Sequence, residues 1–114
     1  MILEMVGDDP KKHIIAMRWL GYMLQFVDHQ GLAKILDYYE RIGWISSEAK
    51  NELKEIAEGL KPTGKGEWKL PFRVHLTSLL FITKIADIPI EKEIAGIETY
   101  VEEWINHPEE ALSI

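Results

Sequence analysis

The stretch Leu32 to Ser46 reads LAKILDYYERIGWIS, and its spacing decides the fold class. Leu32, Ile35, Leu36, Tyr39 and Ile42 form the one-sided stripe of an amphipathic helix. Gly43 follows the last of them, where helices close on a left-handed residue, and Trp44 is placed to fold back on the helix end. Ser46 or Ser47 then caps a second helix, with Glu48 in its first turn to suit the helix dipole. That helix runs to Glu58, turns Ala49, Leu53, Ile56 and Ala57 inward and stops at Gly59. A helix, a tight closure and a capped helix in direct succession is a bundle connection.

Upstream, Asp8-Asp9-Pro10 reads as a helix start, an Asp N-cap with Pro at the first helical position. The spacing from Lys11 to His29 predicts a central helix with Ile15, Trp19, Tyr22, Met23, Phe26 and Val27 on one face. Ile14, Met17, Leu20 and Leu24 fill much of the remaining circumference, which predicts burial on several sides. Residues 1–9 are expected to be an N-terminal tail, and Asp28 to Gly31 a polar break. Downstream, residues 60–70 (LKPTGKGEWKL) hold a Pro and two Gly without periodicity and read as an internal basic loop. Pro71 reopens helix over Phe72 to Ala86, with Leu76, Leu79, Leu80, Thr83 and Ala86 on one face and Phe81, Ile82 and Ile85 beside them. Asp87-Ile88-Pro89 breaks it. A last amphipathic helix runs from Ile90 to about Asn106, with Ile90, Ile94, Ile97, Val101 and Trp104 in a 4-3-4-3 spacing. No alternating strand pattern appears. The expectation is an all-α, compact bundle of about five helices in a single helical domain over residues 1–114.

Composition narrows the function. The 114 residues carry 19 acidic and 13 Lys/Arg side chains, a formal net charge of −6. That balance argues against sequence-independent nucleic-acid binding, which depends on cations neutralising phosphates. The absence of cysteine removes disulfides, thiol nucleophiles and Cys-ligated zinc. No apolar run approaches the roughly 20 residues of a membrane span, and MILEMVGDDP has no basic n-region or long apolar core of a signal peptide. A cytoplasmic domain without direct membrane insertion is expected. The charge is uneven: Lys61 to Arg73 holds four basic residues against one acid, whereas Asp87 to Ile114 holds one Lys against eight carboxylates.

Gly59 to Gly66 (GLKPTGKG) satisfies most of a phosphate-loop pattern, but a helix precedes it, Gly66 replaces the hydroxyl residue and Glu67 follows. His13, His29, His75 and His107 include no pair at the i, i+3 or i, i+4 spacing of helical metal ligation. No catalytic, cofactor-binding or metal-ligating residue emerges. The helix after Ser46 carries four Glu, two Lys and no Arg, which is unsuited to a DNA groove, so a DNA-binding regulator is a minor alternative. Trp19, Tyr22, Phe26, Phe72 and Phe81 are expected in the core. Tyr38 and Tyr39 diverge by about 100° on a helix, so one is core and the other reaches the edge. Trp68 lies between Lys65 and Lys69 in the basic loop, either folded back as a plug or exposed as an interface anchor.

Two stretches resemble a known family. Trp19-Leu20 through Phe26-Val27, with LDYYERIGWIS from Leu36 to Ser46, is similar to the conserved domain of the archaellum (archaeal flagellum) accessory proteins D and E. Asp37, Tyr38, Tyr39, Gly43, Trp44 and Ser46 carry the match, and His75 to Ile82 (HLTSLLFI) resembles a later segment of that family. The resemblance covers about residues 16–86. It implies an archaeal, cytoplasmic, non-catalytic adaptor that links chemotaxis signals to the archaellum motor and docks near its ATPase and a KaiC-like subunit. The coiled-coil-prone region that usually precedes this domain is not present in the sequence. A stand-alone paralogue serving a KaiC-like ATPase outside the archaellum is the alternative.

The contact residues expected from the aromatic and cationic pattern are Tyr38, Trp44, Lys61, Lys65, Trp68, Lys69 and Arg73. The Gly43-Trp44-Ile45 corner is expected first as a fold determinant. The 4-3-4-3 stripe from Ile90 either seals the bundle or zips to a twin, making a homodimer an alternative.

Overall fold

A computed structural model of the protein describes residues 1–89. They form four helices: α1 (Pro10–Met23), α2 (His29–Arg41), α3 (Ser47–Ala57) and α4 (Phe72–Ile85). The architecture is all-α, with one isolated parallel bridge between Leu3 and Ile45 among the described residues. The helix expected over Ile90 to Asn106 lies outside those residues. Helix α1 packs on α3 and α4, and α2 packs on α3. Trp19, Leu20 and Met23 of α1, Ile35, Leu36 and Tyr39 of α2, Leu53 of α3 and Phe81 and Ile85 of α4 are completely buried in one core.

Local chemistry sets most helix ends. The Asp9 carboxylate accepts from Lys11 N at 2.9 Å with Pro10 behind it, as the sequence predicts. Gly43 has φ +85°, Gly43 N donates to Glu40 O at 3.1 Å and Trp44 N to Tyr39 O at 2.9 Å. These two bonds make a Schellman closure, which satisfies carbonyls that the end of α2 would otherwise leave bare. Of the two candidate serines, Ser46 is the cap of α3, accepting from Ala49 N at 2.9 Å. Asp87, at φ +58°, closes α4 in the same manner, with Ile88 N donating to Thr83 O.

Several expectations are corrected. Helix α1 ends at Met23, although the apolar spacing continues to Val27. Leu24 to Val27 form a tight turn because the Leu24 carbonyl accepts from Thr63 N and Gly64 N, each at 2.9 Å, and the Phe26 carbonyl from Gly66 N at 2.8 Å. The polar stretch Asp28 to Gly31 is the start of α2, capped by the Asp28 carboxylate on Gly31 N. Ile14 and Met17 are 57% and 41% exposed and Phe72 is 77% exposed, so neither the outer face of α1 nor the first residue of α4 joins the core. On α4 the expected Leu80, Phe81, Ile82, Thr83 and Ile85 are buried, joined by Val74 and Ser78, while Leu76, Leu79 and Ala86 are half-buried. Ser78 is buried because its hydroxyl accepts from Trp19 Nε1 at 3.0 Å and faces Met23 Sδ at 3.3 Å.

Residues 1–9 are packed rather than a tail. Leu3 N donates to Trp44 O at 3.0 Å and Ser46 N to Leu3 O at 2.9 Å, which seats Leu3 in the core. Val6 is buried too, and Glu52 of α3 accepts from Val6 N on Oε1 and from Gly7 N on Oε2, both at 2.9 Å. A carboxylate accepting two backbone N–H groups makes stronger bonds than a neutral acceptor. Glu52→Ala is therefore expected to lower stability by about 1.5–3 kcal/mol. Urea denaturation checks the loss, and hydrogen exchange locates it: Val6 and Gly7 amides should exchange faster while Ala49 is unchanged.

Candidate functional site

Tyr39 is buried and Tyr38, its neighbour on α2, is half-buried at the edge. This is the divergence that adjacent helical positions require. Tyr39 stacks on Trp44 with ring centroids 4.8 Å apart and lies 6.5 Å from Trp19, nearly parallel to it. Tyr38 meets Trp68 at 5.8 Å and His75 at 6.0 Å, and the Arg41 guanidinium sits 5.9 Å from its ring centroid. Trp68 is thus folded onto α2 and half-buried.

The loop over residues 60–70 is pinned rather than loose. Besides the three N–H donations to Leu24 and Phe26, His29 Nε2 lies 3.0 Å from Leu60 O. A Cβ on Gly64 would stand 2.3 Å from the Phe26 carbonyl carbon and 2.4 Å from Val27 N, so glycine is needed for backbone to approach backbone. The same bonds dispose of the phosphate-loop resemblance. The N–H groups of Thr63, Gly64 and Gly66, which a phosphate would need, already donate to carbonyls.

Two clefts flank Trp68. One, of about 510 Å³, is lined by Lys34, Asp37, Glu40, Arg41, Lys50 and Trp68. The other, of about 250 Å³, runs from Asp28, Gln30 and Gly31 past Lys34 to Glu67 and Trp68. The acids of the larger cleft are engaged: Lys50 Nζ lies 2.6 Å from Glu40 Oε1 and 3.2 Å from Asp37 Oδ1, with Lys54 3.8 Å from Asp37. Those two carboxylates hold the Lys50 ammonium above the usual lysine range. Among the described residues, no group of three or more His, Asp or Glu side chains converges on a point that could hold a metal ion.

The expected contact residues fall into separate places. Tyr38 and Trp68 touch, and Lys65 and Lys69 flank Trp68 on the exposed loop, with Lys61 exposed further upstream. Arg73 is half-buried on α4, where its charge partly opposes the upward push that burial gives the Tyr22 phenol. Trp44 belongs to the helix closure against Tyr39, away from the Trp68 contact. Lys34 and His75 were not among the expected residues. Lys34 stands one turn before Tyr38 on α2, a spacing that could have marked it. His75 had no such signal, because its partners come from another helix and from the loop.

The Tyr39 hydroxyl donates to His75 Nδ1 at 2.8 Å, and the imidazole also bonds to the Leu70 carbonyl. Burial pushes the Tyr39 phenol pKa well up, so it stays protonated as the donor. Burial lowers the His75 pKa below its ordinary value of 6.5, only partly opposed by the Leu70 carbonyl. The neutral ring ties α2, the end of the loop and α4 together.

Two predictions follow from this geometry. Gly64→Ala is expected to cost about 1–3 kcal/mol and to displace the loop from Phe26. Gly21→Ala in α1, where a Cβ meets nothing within 4 Å, should be neutral or stabilising by up to about 1 kcal/mol. Thermal melts of the two variants check the contrast. For His75, the folded chain binds its proton less readily than the unfolded chain, so its contribution to stability is complete above pH 6.5 and is lost as pH falls below that value. Urea midpoints measured between pH 7.5 and 5 should fall with pH, and His75→Gln should flatten the fall.

The sequence of this chain matches the family described as archaeal flagella protein over residues 1–87. Flagella-related protein D of Methanococcus voltae is 30% identical over 113 residues, covering 91% of this chain and 31% of that protein. Flagella-related protein E of Methanocaldococcus jannaschii is 31% identical over 95 residues, covering 80% of this chain and 68% of that protein. Protein D of the same organism is 34% identical over 97 residues, 81% of this chain and 28% of its own length. The chain therefore spans about a third of the D relatives and about two-thirds of the E relative. No solved structure matches the chain significantly. No helix among the described residues is long and apolar enough to cross a membrane. With the family match extending over the whole four-helix body, and with the DYY, Gly43-Trp44 and Ser46 features forming its central closure, the chain belongs to the archaellum accessory D/E family.

Proposed function

We propose that this chain is a non-catalytic adaptor on the cytoplasmic side of the archaellum motor, docking to an ATPase-type partner and relaying chemotaxis signals to it. Family membership supports the place in the motility system. The observation that carries the docking surface is Trp68, half-exposed against Tyr38 between two clefts. Partly exposed Trp beside Arg and Tyr is the composition of interface hot spots. The pinned loop presents that indole in one position, which lowers the ordering cost of binding.

The docking face comprises Tyr38, Trp68 and the exposed Lys61, Lys65 and Lys69, with Arg73 supporting it from α4. Trp44 contributes by holding the end of α2. A Trp68→Ala, Lys65→Glu double variant is expected to lose about tenfold or more in affinity for the purified archaellum ATPase or KaiC-like subunit. Calorimetric titration measures this, with circular dichroism showing that the helices persist. Unchanged affinity in a folded double variant would remove this face from the reading.

A further inference from the structure

Residues 1–89 carry twelve basic and twelve acidic side chains, so their charge matters by where it sits rather than by its sum. The larger cleft beside Trp68 is lined by two acids, three cations and the indole. Lys50 already holds both acids, at 2.6 Å from Glu40 Oε1 and 3.2 Å from Asp37 Oδ1, and Lys54 reaches Asp37 as well. Lys34 and Arg41 are exposed and form no ion pair among the described residues. They stand seven positions apart with Tyr38 between them, a spacing that sets all three on one face of α2. The Arg41 guanidinium lies 5.9 Å from the Tyr38 ring centroid, and that ring lies 5.8 Å from Trp68. Two cations that lack a carboxylate thus run along an aromatic wall, and Lys65 and Lys69 are exposed on the loop to either side of Trp68.

We infer that this cleft is a carboxylate-recognition site, and that it takes an acidic segment of the docking partner in which glutamate or aspartate stands beside an apolar residue. The inference rests on the docking reading above and names the chemistry of the partner. Charge complementarity carries it. The planar fork of Arg41 matches a carboxylate in two parallel hydrogen bonds, and the Lys34 ammonium supplies a second cation on the same helix face. The wall of Tyr38 and Trp68 suits the apolar neighbour, as aromatic side chains do at interface cores. Asp37 and Glu40 do not oppose an incoming carboxylate with bare charge, because Lys50 is matched to them in place. The same lining suits a nucleic acid poorly. Asp37 and Glu40 in this cleft and Glu67 in the smaller one interrupt the cations, whereas a phosphate backbone calls for a continuous basic stripe.

The probe is an acetylated hexapeptide of four glutamates and two leucines, titrated into the full-length chain labelled with nitrogen-15 at about 0.1 M salt. Amides of Lys34, Tyr38 and Arg41 and the Trp68 indole N–H should shift together and saturate. The shifts should fade at about 1 M salt, where the Debye length is about 3 Å. Exchanging the peptide's glutamates for glutamines should weaken binding about fivefold or more, and so should Lys34→Glu or Arg41→Glu in the chain. Lys11→Glu makes the same charge change on α1 outside both clefts and should leave the affinity within about twofold. All three exchanged side chains are exposed, so the variants keep the core intact. The inference is overturned by the absence of saturable shifts, by equal binding of the glutamine peptide, or by an equal loss in Lys11→Glu. Shifts centred on Ile14 and Met17, or tighter binding of a thymidine oligonucleotide of the same charge, overturn it as well. The titration contains no motor protein. If the Trp68→Ala, Lys65→Glu variant keeps its partner affinity, the docking face falls while the carboxylate site is still judged by its own spectrum.

Discussion

Tyr39 is the residue through which the separate parts of this fold are joined. Its carbonyl receives the Trp44 N–H that closes α2, and its ring lies against Trp44 and Trp19. Its hydroxyl reaches His75 on α4. Those contacts come from three stretches of sequence, so the side chain links the end of one helix to two others. The consequence extends past the ring. Because Trp44 is held there, its carbonyl faces Leu3 N, Ser46 N faces the Leu3 carbonyl, and Ser46 is in place to cap α3. The polar end of a buried phenol needs a partner, since an unmet hydroxyl in a core costs about 1–3 kcal/mol. His75 meets that need and thereby fixes where α4 begins relative to α2.

Features that depend on neighbouring residues were readable in the sequence. The Asp9-Pro10 start, the Gly43 closure, the Ser46 cap and the Asp87 break each rest on atoms within a few positions, and each stands where the pattern put it. The end of α1 was hidden because Phe26 and Val27 keep the helical spacing. What stops the helix is Thr63, Gly64 and Gly66, whose N–H groups arrive from nearly forty residues away to take the Leu24 and Phe26 carbonyls. The packing of residues 1–9 was hidden for a related reason. One bridging residue, Leu3, has no period to detect; its partners are Trp44 and Ser46, while the α3 carboxylate of Glu52 holds Val6 N and Gly7 N. On α4 the apolar spacing marked Leu80, Phe81, Ile82 and Ile85 as core, whereas the burial of the polar Ser78 follows from its bond to Trp19 and had no such signal.

The candidate site divides along the same line. Trp68 stood out as an aromatic between cations, and Tyr38 as the residue diverging from a buried Tyr39; that they touch follows from the fold alone. Trp44 has the composition of a contact residue and the geometry of a helix closure. Nothing in a single sequence separates these, because both uses favour a large ring after a glycine. His75 joined the cluster only through tertiary contacts, and Lys34 through its place between two clefts.

The glycines of the basic loop decide how closely the loop is held against the turn after α1. A loop with two glycines and a proline loses substantial conformational entropy when a partner orders it. Here the fold itself supplies ordering contacts, since Gly64 and Gly66 lie directly on the Phe26 and Val27 backbone and donate to the turn after α1. Their lack of a side chain is what permits the approach, so residues that would ordinarily make a loop mobile make this one rigid. The arrangement places the exposed part of Trp68 and its flanking lysines on a surface anchored to α1 through the turn and to α2 through Tyr38. Trp68 is therefore tied to the core through Tyr38, whose ring lies 5.8 Å from the indole and 5.9 Å from the buried Tyr39.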